Sequence, residues 1–251
     1  PPPPPPPLFF FKHNTANAIR LSLVGSEMCI RDSIEGLQKI KNLDAKKRNF
    51  INSAGIPLIH PLVDLGNYVM LEIGAPMHVF DLDKLDLPIN VQFPKSNNNS
   101  LEVIGGDLKN IQSSSLTIQD QSGIQAIAGI IGSERSAVSS NTANIAVEAA
   151  FFKPETIVNQ ARKYGLSTDA SHRFERGVDP EIQQLALARY LFLLNEIAVY
   201  ESVKLYYSKS KSVIQIVNQA TGDFATISKK PLVKVPAVSY THLTLPTKRI
   251  V

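Results

Sequence analysis

A single cysteine, Cys29, occurs in 251 residues. One thiol cannot close a disulfide within the chain or build a thiolate metal site, which fits a reducing compartment. No apolar run reaches the ~18 residues that a membrane-crossing helix needs. The layout of a signal peptide is missing as well, because a run of prolines opens the chain and no small-residue cleavage site follows an apolar core. There is no glycine-rich phosphate loop, no HExxH, no CxxC and no nucleophile elbow. An enzyme with this sequence works without the commonest metal or nucleotide machinery.

Periodicity is also lacking at both ends. SLVGSEMCIRDS, near the N-terminus, and VSYTHLTLPTKRIV at 238–251 resemble translated read-through of sequencing adapters. Segments 1–33 and 238–251 are therefore expected to be non-native, foreign to the fold and disordered. Their removal changes the charge argument. The chain has 26 basic and 22 acidic residues; the ends hold Lys12, Arg20, Arg31, Lys248, Arg249, Glu27 and Asp32, which leaves 21 and 20, a net +1 in place of +4. A charge so near zero gives no support for non-specific nucleic-acid binding. The remaining 34–237 is long enough for one domain with a sizeable core.

Within it, Ile34–Lys41 alternates as a strand does. Asp44 is placed to cap a short helix ending at Gly55, and a second helix is expected over Leu65–Glu72, stopping at Gly74 with His78 just beyond. A histidine near a helix end and an acid can be tuned across neutral pH, although a lone histidine is more often structural. The segments LPINVQF, SLEVI and SLTIQD read as strands joined by turns at Asn97–Asn99 and Gly105-Gly106. QAIAGII (125–131) suits a buried strand closed by Gly132; Gly129 inside it marks either a close approach or a bulge. IAVEAAFF (145–152) is a second buried strand carrying one charge, Glu148. A carboxylate in such a run is paired, neutral or lining a cavity. Pro154 opens a helix through Gly165, EIQQLALARYLFLLNEIA is a long apolar helix, and residues 200–234 read as trailing strands leaving the domain. These elements predict an α+β fold, a mixed and mainly antiparallel sheet packed with helices in a single domain.

The densest polar stretch is YGLSTDASHRFERGVDP (164–180). Gly165 can end one helix, Ser167 or Thr168 can cap the segment after it, and Asp179-Pro180 is a helix start. Its bland reading is a well-capped turn whose charges pair; its functional reading is an ordered loop with a job. SHRFER interleaves basic and aromatic residues as single-strand binders do, yet Asp169, Glu175 and Asp179 can neutralise the arginines.

GNYVMLEIGAPMHVFD (66–81), IAGIIGSERSAVS (127–139), VEAAFFKP (147–154) and LSTDASHRFERGVDP (166–180) occur one after another in that order. Together they resemble the editing domain of the bacterial phenylalanyl-tRNA synthetase β subunit, over about 34–217, with 218–237 as a trailing linker or the start of a next module. The resemblance implies hydrolysis of tyrosine from mischarged tRNA for phenylalanine, in the cytoplasm, as part of a heterotetramer with the α subunit and with no membrane partner. ATP and Mg are implied only for the full enzyme; this chain carries no aminoacylation site, cofactor or metal on that reading. Carried over by position, Glu148 reads the tyrosine hydroxyl and His78 positions the ester or the attacking water, the two forming the catalytic pair. Asn67, Pro76, Gly129, Gly132, Thr168 and Ala170 bind substrate, the glycines by making room for its ring. The chain departs from the family at Pro57, Gly66 and Ala75, where arginine, threonine and glutamine are usual, and at Ser133. The alternative is a non-catalytic structural module of the β subunit that docks the α subunit.

Overall fold

The computed structural model describes residues 28–97, 99–207 and 213–216. The expectations for 1–27 and 217–251 lie outside the described residues. Strand β1 (Met28–Glu35) ends where Gly36 turns the backbone at φ +71°. Helix α1 (Ala45–Ser53) starts at Asp44, whose carboxylate accepts the Lys47 amide at 2.9 Å. Helix α2 (Pro61–Ile73) begins a turn earlier than its apolar pattern predicts. Proline at its first position is pre-set for a helix, and His60 Nδ1 accepts the Leu62 amide. It stops as predicted at Gly74, which is left-handed and donates to the Met70 carbonyl. Then come β2 (Met77–Asp81), β3 (Asn90–Gln92), β4 (Asn99–Glu102), β5 (Leu108–Ile111), β6 (Thr117–Asp120), β7 (Gly123–Ile127), β8 (Ile131–Gly132) and β9 (Ile145–Phe151). Helices α3 (Pro154–Ile157), α4 (Gln160–Lys163), α5 (Asp169–Arg176) and α6 (Gln183–Ile197) lead to β10 (Ser202–Tyr207) and β11 (Val213–Ile216).

Among the described residues every strand pairing is antiparallel, so the α+β expectation holds. The larger sheet runs β11-β10-β1-β9-β2 and the smaller β3-β6-β7-β8, beside the ribbon β4-β5. Two boundaries need correction. β1 begins at Met28, six residues before the expected edge at Ile34, and pairs with β9 on one side and β10 on the other. The trailing strands within the described residues do not leave the domain, since β10 and β11 pair into the same sheet. Two single elements prove to be double. The expected helix from Pro154 is broken at Asn159, which sits at φ +61°, a region asparagine tolerates better than most residues. The expected strand 125–131 is broken by a turn at Gly129, φ +69°. The long apolar helix starts at Gln183, three residues after Pro180, because Asp179 caps a local turn by accepting the Glu181 amide.

Two cores share the larger sheet. On one face, α1, α2 and α6 bury Ile51, Leu65, Val69, Leu187 and Leu194 against Ile145 and Val147 of β9. Tyr190 closes this layer by donating its buried hydroxyl to the Leu62 carbonyl at 3.0 Å, and Arg189 grips Glu72 with two bonds of 2.6 and 2.8 Å. On the other face, Phe80, Ala146, Ala150 and Phe152 pack against Ile118, Ala126 and Ile127 of the smaller sheet. The two-residue alternation of β9 thus divides its side chains between the cores.

The smaller sheet carries a pH-sensitive turn. Asp120, buried between β6 and β7, would be pushed up by desolvation. Bonds from the Ser122 hydroxyl and amide, the Asp86 amide and the Gln125 side chain outweigh that and hold its pKa below the ordinary 3.8. A depressed acid stabilises the fold above its unfolded pKa, and that contribution is lost as pH falls through the folded value. Asp120→Asn is expected to cost about 1–3 kcal/mol at pH 7, since it weakens a multiply bonded charged acceptor. It should also flatten the loss of stability below about pH 4 in urea unfolding; an unchanged acid limb would remove Asp120 from the explanation.

Candidate active site between the two sheets

Alternation places the acid. On β9, Glu148 points the same way as Ala146 and Ala150, into the core between the sheets, while Val147 points to the helices. On β2, His78 shares its face with Phe80. In the ladder His78 stands directly opposite Glu148, and such pairs hold their Cβ atoms about 5 Å apart. His78 lies just beyond the end of α2, as the sequence predicts, and as a residue of β2 it has its surroundings set by sheet neighbours. Glu148 is only 4% exposed.

The opposite wall is the β7–β8 turn, and the floor is α5. Thr168 caps α5 in a reciprocal box with Ser171, accepting its amide at 3.1 Å while the Ser171 hydroxyl meets the Thr168 amide at 3.2 Å. The same Thr168 hydroxyl donates to the Ile130 carbonyl at 3.0 Å, which ties α5 to the turn. Held this way, α5 turns Ala170 and Phe174 inward, and the Phe174 ring meets Phe152 edge-on at 5.1 Å.

These walls enclose a cavity of about 60 Å³. Of the eight site residues named from sequence, His78, Glu148, Pro76, Gly129, Gly132 and Ala170 line it. Thr168 frames it without lining it, and Asn67, half-buried on α2, does not line it either. The sequence reading passed over Phe152 and Phe174, which also line it. Their signal was available, since Ala170 and Phe174 are spaced by one helical turn inside the polar stretch. None of Pro57, Gly66 and Ala75 lines the cavity: Pro57 is exposed, Ala75 belongs to the helical core, and a side chain on Gly66 would meet Met77 and Tyr190.

The glycines leave less empty room than expected. At Gly129 the position of a Cβ lies 3.0 Å from Phe174 and 3.1 Å from Phe152, so the chain's own rings fill the gap; at Gly132 it is His78 that does so. Room for one water takes about 10–15 Å³, and a cavity of about 150 Å³ takes benzene. In this form the cavity suits a few waters. Chemically it is an apolar chamber with one carboxylate and one imidazole side by side on a single wall. The two together can accept a hydroxyl proton or orient water. Among the described residues no cluster of histidine, cysteine and acids is placed to hold a metal. On the outer face of α5, Arg173 pairs with Asp169 at 2.8 Å and Arg176 donates to the His172 carbonyl, so part of its charge is spent within the helix.

Residues 28–199 match the B3/4 domain family, and the chain, two antiparallel sheets with helices packed on them, belongs to it. The chain is similar to the phenylalanine–tRNA ligase β subunit of Haemophilus influenzae, 39% identical over 209 residues that make up 81% of this chain and 26% of that subunit. The corresponding subunit of Photorhabdus laumondii is 44% identical over 164 residues, 63% of this chain and 20% of its own length. The chain therefore spans about a quarter of the length of the curated relatives it matches. Among solved structures, an N-terminal fragment of the phenylalanyl-tRNA synthetase β subunit from Pyrococcus horikoshii aligns with 76% of this chain and 50% of its own, at 16% identity and a TM-score of 0.43.

Proposed function

We propose that this chain is the editing module of a phenylalanine–tRNA ligase β subunit, hydrolysing tyrosine from mischarged tRNA for phenylalanine. The observation that carries the reading is the facing pair His78 and Glu148 on the wall of an otherwise apolar cavity. A pocket built for phenylalanine rejects tyrosine poorly, because an added hydroxyl is hard to exclude from an apolar site. A second pocket with polar groups at its wall discriminates far better. When a ring seals it, those groups lose water, and only tyrosine returns a hydrogen bond. In this role Glu148 receives the phenol hydroxyl and His78 orients the ester or the attacking water. Asn67, Pro76, Gly129, Gly132, Thr168 and Ala170 shape the surroundings. The partners on this reading are tRNA for phenylalanine and the ligase α subunit, in the cytoplasm.

A second reading, a structural module that docks the α subunit without catalysis, is favoured by the small size of the cavity. Deacylation of tyrosyl- and phenylalanyl-tRNA for phenylalanine separates the two. The assay uses the chain alone, and the chain grafted into the Haemophilus influenzae β subunit together with its α subunit. Editing predicts release of tyrosine with phenylalanine spared. Release of neither amino acid in either format leaves the structural module.

A further inference from the structure

The imidazole of His78 is held on three sides. Phe80, on the same strand face, meets it edge-on at 4.2 Å with the ring planes at 76°. Glu148 is its partner across the ladder. The third side is bare backbone: a Cβ at Gly132 would lie 2.5 Å from Cε1 and 2.6 Å from Nε2 of the ring. Side-chain carbons do not approach a ring that closely, so any residue other than glycine requires one of the two to move. The backbone of Gly132 is poorly able to yield. It is paired with Ala126 in the β7–β8 ladder, and its carbonyl accepts the Ile104 amide at 3.0 Å. Its φ is not in the left-handed region, unlike that of Gly129, so no turn demands glycine here. What the missing side chain does is seat the imidazole.

We infer that Gly132 is the positioning residue for His78, acting on the reaction through that ring and not by clearing space for the substrate's ring. The inference rests on the editing reading for what His78 then does, but its geometry does not depend on it. A side chain at 132 would displace the imidazole from its place beside Phe80 and across from Glu148. Misplacement of a reacting group by about 1 Å costs on the order of 10²-fold in rate. Gly132→Ala therefore acts on kcat for the tyrosyl ester and leaves KM nearly unchanged, whereas a residue that clears space for the ligand acts chiefly on KM.

The test is a double-mutant cycle on the full chain, with Gly132→Ala made in the native and in the His78→Ala backgrounds, read by urea unfolding and by the imidazole NMR signals of His78. Gly132→Ala is expected to lower stability in the native background, to shift the His78 signals, and to cost almost nothing once the ring is gone. If Gly132→Ala does not fold, recovery of folding in the double mutant supports the same conclusion. Equal cost in both backgrounds, failure of both variants to fold, or unmoved His78 signals overturns it. None of these readouts needs catalysis. A chain that deacylates nothing yet shows the coupling defeats the editing reading and leaves the seat of His78 standing.

Discussion

Replacing Glu148 with glutamine is expected to cut the preference for tyrosyl over phenylalanyl ester about tenfold, with the fold retained. The substitution keeps the volume of a side chain that is 4% exposed in a packed strand, so the cavity wall stays in place. What changes is the acceptor. A carboxylate holds a phenol hydroxyl with a charge-assisted bond, roughly twice as strong as the neutral bond an amide makes. Sites built to bind a substrate hydroxyl reject the analogue lacking it by about 10⁴–10⁵, and the ~1–1.5 kcal/mol between a charged and a neutral bond is about one factor of ten of that span. His78→Ala should have a different signature, slowing release of tyrosine without converting the site to phenylalanine, because His78 is assigned to the ester and water. Rates for both esters with each variant, in the assembled enzyme, keep the roles apart. Full discrimination by Glu148→Gln would return the acid to the status of a structural residue.

The second large effect concerns β1. A chain begun at Ile34 loses Met28–Ser33, six residues that pair with β9, of which Ile30–Ser33 also pair with β10. Backbone hydrogen bonds to both neighbours go with it, at a net value of about 1 kcal/mol each. The loss is comparable with the whole ~5–15 kcal/mol that keeps a domain folded. Such a chain is expected to unfold at much lower temperature or not to fold cooperatively, while one begun at residue 25 unfolds like the full protein. Thermal unfolding of the three decides it. An unchanged midpoint for the shortest would mean that the sheet does without this strand and that the adapter-like segment is foreign to the fold after all.

The difference between what could be read from sequence and what could not comes from which force placed each element. Asp44, Gly74 and the apolar face of α6 are local signals, and the helices lie where they indicate. The run around Glu148 was legible because a single charge among apolar residues marks a strand buried on both faces. β1 was not legible: CIRDS has neither strand composition nor clean alternation, and its place comes from pairing with distant segments. The turn at Gly129 was hidden because Ala128 and Ile130 beside it are themselves buried, so hydropathy runs through the bend without a break. In the site, Glu148 and the glycines could be singled out from residue type. The contact of His78 with Gly132 joins residues far apart in the chain, and no pattern along the sequence announces it.

β9 has no spare face, and this ties the history of the site to that of the helices. Val147 looks into the helical layer and Glu148 into the chamber, one peptide apart on the same strand. A change of volume among Leu65, Leu187 and Leu194 presses on the strand and so moves the carboxylate, although none of the three lines the cavity. Drift in the helical layer is thus visible to selection on the chemistry. Second-site suppressors of a displaced Glu148 should turn up on α2 and α6, in residues that never meet a substrate.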